Sequence, residues 1–270
     1  MIQHQTPTAS HGTGTRPQGG SGGGSTSSTS TSSSGGLIIR KNQSALSDKE
    51  WNTLICAMKE LKKDKGSRNW DYFTGLHRQY MDHEDAGDHV LPHLNGEDLH
   101  IHSSFYWLAW HRKFVLEFEE RLRDYEPGVS VPYWNWVKFR EIPDELGKKL
   151  FGWMHVSRAV FHNPKRLPTR EDFDDMMAAT RFDIFDNDLA FLHGQVHNWV
   201  GGEMRNPRKS PNDPLFFLHH AFIDKVWYDW AKDHPSQPFP SEYLEFTLPP
   251  WKTTVAEVLN IGDMDYRYLG

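Results

Sequence analysis

His193 and His197 stand four residues apart in a run from Leu189 to Val200 that reads as a helix. That spacing puts both imidazoles on one face, one turn apart, where two nitrogens can grip one metal ion. Alone, such a pair is a weak signal. A third nitrogen is at hand in Pro211-Asn212-Asp213-Pro214-Leu215-Phe216-Phe217-Leu218-His219-His220-Ala221-Phe222-Ile223-Asp224, where turn residues feed an almost wholly apolar run. Buried imidazoles need a partner for each nitrogen, and a metal is one such partner. Neighbouring helical positions point about 100° apart. One of His219 and His220 can therefore join the pair easily, and spacing does not choose between them.

A second set lies upstream. His102 and His111 are nine residues apart, and both can face one point if His102 sits in the loop before the helix that contains His111. His77, on the preceding helix, is the natural third. Three histidines twice over give two all-imidazole sites on helix pairs, and bundle cores are where such sites are built. His89 and His93 are also four apart, but Pro92 between them argues against a helical chelate. Imidazole suits zinc, copper, iron and nickel. A di-iron carboxylate bundle needs paired Glu-x-x-His motifs, and only Glu97-x-x-His100 is present, in a loop. A three-histidine zinc hydrolase needs one such site. Two facing sites favour paired copper, each Cu(I) giving one electron to a shared dioxygen.

These residues must be positioned by helices, and the pattern supplies them. Ser47-x-x-Glu50 is a capping box opening a helix to about Lys63, with Trp51, Leu54, Ile55, Met58 and Leu61 at helical spacing and Cys56 read as a packing residue between them. Further helices are expected over Trp70 to Met81, about Ser104 to Tyr125, Leu189 to Val200 and about Asp213 to Trp230. Residues 82–100 read as an acidic, histidine-rich loop, Val131-Pro132-Tyr133-Trp134-Asn135-Trp136 as a buried aromatic segment, and 137–185 as a mixed stretch with short helices. Arg112 and Lys113 with Glu117 and Glu120 suggest a salt-bridged helix face. Prolines from Pro235 to Pro250 indicate an irregular C-terminal wrap, and strand signals are weak throughout. Residues 1–36 are Gly, Ser and Thr rich, with Arg16 as their one charged side chain. Such a segment buries too little to offset its ordering entropy and is expected to be a disordered tail before a domain at 37–270.

The 270 residues include 16 histidines and one cysteine, with a net charge of −6. No basic stripe points to nucleic acid, no apolar run approaches the roughly 20 residues of a membrane span, and no apolar leader core is evident. A single cysteine forms no internal disulfide, which is compatible with a reducing, cytoplasmic compartment.

Ile39-Arg40-Lys41-Asn42, His102-x₈-His111-Arg112-Lys113-Phe114, Pro132-Tyr133-Trp134-Asn135-Trp136, His193-x₃-His197 and Ser210 through Asp224, with Pro250-Trp251-Lys252-Thr253 and Tyr266-Arg267-Tyr268, resemble the tyrosinase family of type-3 copper proteins over about 37–270. The resemblance implies an all-α fold, a four-helix bundle holding two copper ions per chain with irregular connecting segments. It implies His77, His102 and His111 on the first copper and His193, His197 and His220 on the second. His220 is chosen because the family's ligand lies four residues before the Asp, here Asp224; His83 and His100 are rivals to His77. It also implies O₂ as co-substrate, a small phenolic substrate, and oxidation of o-diphenols to o-quinones, with ortho-hydroxylation of monophenols as a further activity. Alternatives within that chemistry are o-aminophenol oxidation or a haemocyanin-like oxygen-binding role. Gly194 stands where many monophenol-oxidising bacterial members carry an Asn after the first ligand of the second copper, and Asn198 could substitute as a polar group. Both are candidate pocket residues. Asp183, Asp186 and Asp188 are nearby acids, none of which aligns with the family's activating Glu. His219 and Asp224 are expected behind the ligands, Asp224 as an orienter of a ligand histidine. Cys56 is too far in sequence from His102 for a Cys–His thioether. With no covering domain after the copper region, a separate copper-delivery or covering protein, or the 137–185 loop, would shield the site.

Overall fold

The capping box opens the first long helix as its residues require. Glu50 N–H donates to Ser47 Oγ and Ser47 N–H to Glu50 Oε2, starting α1 (Asp48–Lys63). The computed structural model describes residues 37–81, 106–160, 166–237 and 239–269. The expectations for the tail at 1–36 and the loop at 82–100 therefore lie outside the described residues, as does His102. Trp51, Leu54, Ile55, Met58 and Leu61 of α1 are buried as their spacing predicts, but Cys56 is exposed. It shares the outward face with Asn52 and Glu60, one turn to either side, so it is not a packing residue.

The remaining α-helices among the described residues are α2 (Trp70–Met81), α3 (Trp107–Arg123), the single-turn α4 (Phe151–Met154), α5 (Arg170–Met177), α6 (Phe182–Val200) and α7 (Leu215–Asp233). The fold is helical, and α2, α3, α6 and α7 carry the described histidines of the expected site. No helix among the described residues is long and apolar enough to cross a membrane. Helix α6 begins about two turns earlier than its apolar pattern suggested. Asp183, Asp186, Asn187 and Asp188 give that part a loop-like composition, yet Phe182, Phe185, Leu189, Leu192 and Val196 form a buried stripe at three- and four-residue steps. Before α7, Ser210–Asn212 forms a 3₁₀ turn and Asp213 Oδ1 accepts the Leu215 N–H at 2.9 Å, so Asp213 caps the helix from just outside it.

Aromatic side chains lock these helices together. Trp70 of α2 meets Phe118 of α3 and Phe217 of α7 edge-on, at 5.2 and 5.9 Å between ring centres, while Phe118 and Phe217 stack. Edge-on pairs contribute about 0.5–1.5 kcal/mol beyond the area they bury. The aromatic segment Val131–Trp136 is buried as expected, apart from the partly exposed Asn135, and its Trp134 N–H donates to the Leu218 carbonyl of α7.

Two short parallel strands also form, β1 (Ile38–Arg40) and β2 (Tyr266–Tyr268), with Ile38 opposite Tyr266. Three-residue strands show no readable alternation, so only tertiary pairing reveals them. They close the two ends of the folded region over a buried ion cluster. Arg40 pairs with Glu119 at 2.8 Å and with Asp224 at 3.3 Å, and Arg112 Nε donates to the other Asp224 oxygen. Tyr266 and Tyr268 hydroxyls also donate to Asp224. Arg112 is thus a core residue paired across to α7 rather than part of a surface salt-bridged face; of that predicted face, the Lys113–Glu117 pair forms, at 2.6 Å.

Candidate metal centre

The i, i+4 pair on α6 and one imidazole of α7 converge. His193 Nε2 and His197 Nε2 each lie 3.3 Å from His220 Nε2, and the ligand atoms of all three fall within 4.8 Å of one another. His219 is excluded from the group by its neighbours. Trp136 Nε1–H donates to His219 Nδ1 at 3.2 Å, and the His219 ring stacks on His193 at 5.1 Å and 4°. His219 therefore stands behind the cluster, braced from the far side.

A second convergence joins α2 to α3. His77 Nε2 and His111 Nε2 are 3.4 Å apart. Their tautomers follow from their backs: His77 Nδ1 faces the Pro207 carbonyl and His111 Nδ1 the Trp107 carbonyl, each at 2.9 Å. A carbonyl only accepts, so each Nδ1 carries the proton and each Nε2 presents a lone pair. Two lone pairs facing each other at that distance call for a cation between them. His197 is set in the same way, with its Nδ1–H on the Met204 carbonyl at 2.7 Å. The two groups are neighbours, since the His111 and His220 rings stack 4.3 Å apart at 13°, and Phe216 packs against both at 4.9 Å from His77 and 4.1 Å from His220.

Metal–imidazole bonds run about 2.0–2.1 Å, and two nitrogens held so at a tetrahedral angle are roughly 3.3–3.4 Å apart. The observed separations of 3.3 and 3.4 Å fit such an ion at either group. Burial also keeps His197 and His220 neutral, with a lone pair free for a metal. It brings His197 down to about 4, against the opposing pull of the Met204 carbonyl and Asp213. It also drives His220 well below the usual histidine range, with His111 and His193 pushing the same way.

Other expected residues fall out differently. Gly194 is partly buried, with nothing within 4 Å of where a Cβ would stand, so the space beside His193 is open. Asn198 is exposed. Asp224 orients no ligand histidine: its two oxygens are taken by Arg40, Arg112, Tyr266 and Tyr268. Arginines from distant parts of the chain compete for that carboxylate more strongly than a neutral imidazole would. Among the three nearby acids, Asp183 bonds Arg181 at the surface and Asp188 is exposed. Asp186 is partly buried and accepts from Trp107 Nε1 at 2.7 Å, and the Trp107 ring lies 5.3 Å from that of His193. Sequence spacing missed the Met204 and Pro207 carbonyls, which carry no side-chain signal. The Gly201-Gly202 step just upstream was the available hint.

Burial pushes the Asp186 carboxyl up to about 7, with the Trp107 N–H opposing. An unfolded Asp titrates near 3.9, so as pH rises from about 4 to 7 the unfolded chain ionises this group while the folded one still holds its proton. Stability from Asp186 is therefore complete below about 4 and lost as pH rises through 7. Urea midpoints of metal-free protein should show Asp186→Asn gaining on the wild type across that window and the gap levelling above it. A constant gap would refute the shift.

The three-histidine group and the facing His77–His111 pair, on four helices, are compatible with a helical metal protein. The common central domain of tyrosinase matches residues 67–159 and 152–233. A tyrosinase of Streptomyces antibioticus is 32% identical over 83% of this chain and 96% of its own length. A haemocyanin of Enteroctopus dofleini, units Ode to Odg, is 26% identical over 72% of this chain and 18% of its own. A functional unit of octopus haemocyanin superposes with a TM-score of 0.72 at 21% identity, covering 86% of this chain and 68% of that one. The chain belongs to the tyrosinase family, as a type-3 copper protein and a copper polyphenol oxidase.

Proposed function

We propose that the chain oxidises o-diphenols to o-quinones with O₂, two diphenols giving two quinones and two waters for each O₂. The first copper would be held by His77, His111 and His102, the last outside the described residues, and the second by His193, His197 and His220. Facing Nε2 atoms, with the protons of His77, His111 and His197 held on Nδ1 by backbone carbonyls, carry this reading. A copper pair held there would supply the two-electron redox chemistry between diphenol and O₂. The protein holds the imidazoles neutral and aimed, and leaves open space at Gly194 where a small ring can approach. Asp186, two turns before His193 on α6 and joined to it through Trp107, could take a hydroxyl proton once it ionises as pH passes about 7.

Diphenols are preferred because they need no oxygen inserted into the ring, and no Asn stands at Gly194 to help deprotonate a monophenol. Oxygen uptake by copper-loaded protein should start without lag on a catechol and run at least about tenfold slower on the matching monophenol, a gap of about 1.4 kcal/mol in barrier. Comparable rates without a lag would overturn the preference, and an o-aminophenol belongs in the same assay. An oxygen-carrier role is the second reading, favoured by the fold shared with the octopus unit; steady turnover on catechol removes it. One zinc per chain in place of two coppers would remove both. A separate copper-delivery or covering protein is part of the proposal, and the exposed Ile184 and Phe191, seven apart on α6, are surface it could meet.

A further inference from the structure

Helix α2 presents positions 70, 74 and 77, one stripe of its surface, to the segment between α6 and α7. Trp70 Nε1 donates to the Pro211 carbonyl at 2.9 Å, Thr74 Oγ1 to Asn212 Oδ1 at 2.9 Å, and His77 Nδ1 to the Pro207 carbonyl at 2.9 Å. The same segment holds His197 of α6 through the Met204 carbonyl at 2.7 Å. It is tied to itself by Asn212 Nδ2 on Glu203 Oε1 at 3.3 Å and by the Asn206 carbonyl, which accepts from Lys209 and Ser210 N–H groups.

Both ends are pinned. Gly201 and Gly202 have φ of 67° and 55°, and a Cβ on them would come within 2.5 Å of the Ala159 carbonyl and 2.0 Å of the Ser157 carbonyl. The backbone can therefore lie directly on residues 157–159, where Glu203 N–H donates to Ser157 O at 2.9 Å. At the far end Arg158 grips Asp213 with two bonds, at 2.5 and 2.6 Å, and Asp213 caps the helix carrying His220. A fork of this kind is both strong and directional.

We infer that Gly201–Asp213 is a shared bracket that holds one imidazole of each metal group, His77 and His197, in a single rigid piece and so sets the spacing of the two metals, with Thr74 and Asn212 as its positioning residues. The inference rests on the reading of the two histidine groups as copper sites. Its distinctive consequence is coupling. Thr74 sits on the helix of the first group, yet freeing it releases the segment that also orients His197.

The test is Thr74→Val in the full chain, which keeps the side-chain shape but removes the donor. Wild type and variant are loaded with copper, and three quantities are read: copper per chain, the time course of copper loss to a chelator, and the copper–copper separation by X-ray absorption. Supports behind metal-binding histidines change affinity by about 10–100-fold. The variant should bind two coppers, lose both about tenfold faster in one shared phase, and show a changed or broadened separation. Its kcat should fall with KM for a diphenol little altered, and Thr74→Ser should restore every property. Asn212→Leu, which breaks the bracket from its other side, should reproduce the shared phase. Faster loss of one copper alone, or wild-type loss of both in both variants, overturns the bracket while leaving the copper reading intact. A wild-type chain that takes up no copper pair overturns the two together.

Discussion

His220→Ala should cut bound copper from two to one per chain and lower catechol oxidation by at least about 100-fold, since even residues behind a metal ligand cost about 10–100-fold when lost. His220 is the imidazole common to both 3.3 Å contacts of its group, so without it His193 and His197 keep only a two-nitrogen grip. It also stacks on His111, which makes it the join between the two groups. His219→Phe is the matched comparison. It preserves a ring against His193 but removes the nitrogen that accepts from Trp136. That variant should still reach two coppers at saturation, with weaker binding. Metal analysis and oxygen uptake on the two variants separate ligand from support; two coppers and full activity in His220→Ala would eliminate the assignment.

The largest loss of stability is expected at Asp224→Ala. Arg40, Glu119, Arg112 and Asp224 are all buried, two cations against two anions. Removing one partner of such a cluster leaves an uncompensated buried charge and costs about 3–5 kcal/mol. For a folded region of this size that corresponds to a fall in Tm of roughly 6–20 °C. Burial alone would raise the Asp224 carboxyl, but Arg112 and Arg40, helped by the Tyr266 and Tyr268 hydroxyls, hold it below the usual range. Its contribution is thus present above the unfolded value near 3.9 and lost as pH falls through the lower folded value. Thermal melts of wild type and variant should differ widely at neutral pH and converge on acidification. A Tm within 2 °C of wild type at pH 7, below the roughly 2–4 °C expected per kcal/mol, would show that the cluster is not a stabilising core. Because the cluster ties β1, α3, α7 and β2 together, the same variant should also loosen the helix that bears His220.

Most of the helical frame was legible along the chain because its signals are local. The Ser47–Glu50 box, the apolar spacing of α1 and the i, i+4 pair of α6 all lie within a turn or two of one another. The start of α6 is hidden in the sequence because a run of acids looks like a loop until the buried stripe beneath it is followed. Cys56 departs from its expected packing role because apolar character alone says nothing about which face of a helix a residue occupies.

The site divides along the same line. Spacing alone put histidines on helices and paired His193 with His197. It could not choose between His219 and His220, and the choice turns on Trp136, 83 residues from His219. Asp224 looked like a neighbour of a ligand because it is one turn from His220. Its partners are Arg112 and Arg40, 112 and 184 residues away, and their charge outweighs any imidazole nearby. Periodicity and turn chemistry, which act within a few residues, determined the helices and the imidazoles they carry. Which nitrogen each imidazole presents, and how the two groups are spaced, only the tertiary structure decided. Those features depend on carbonyls such as Met204 and Pro207, and a backbone oxygen is the same at every position until folding brings it against a particular ring.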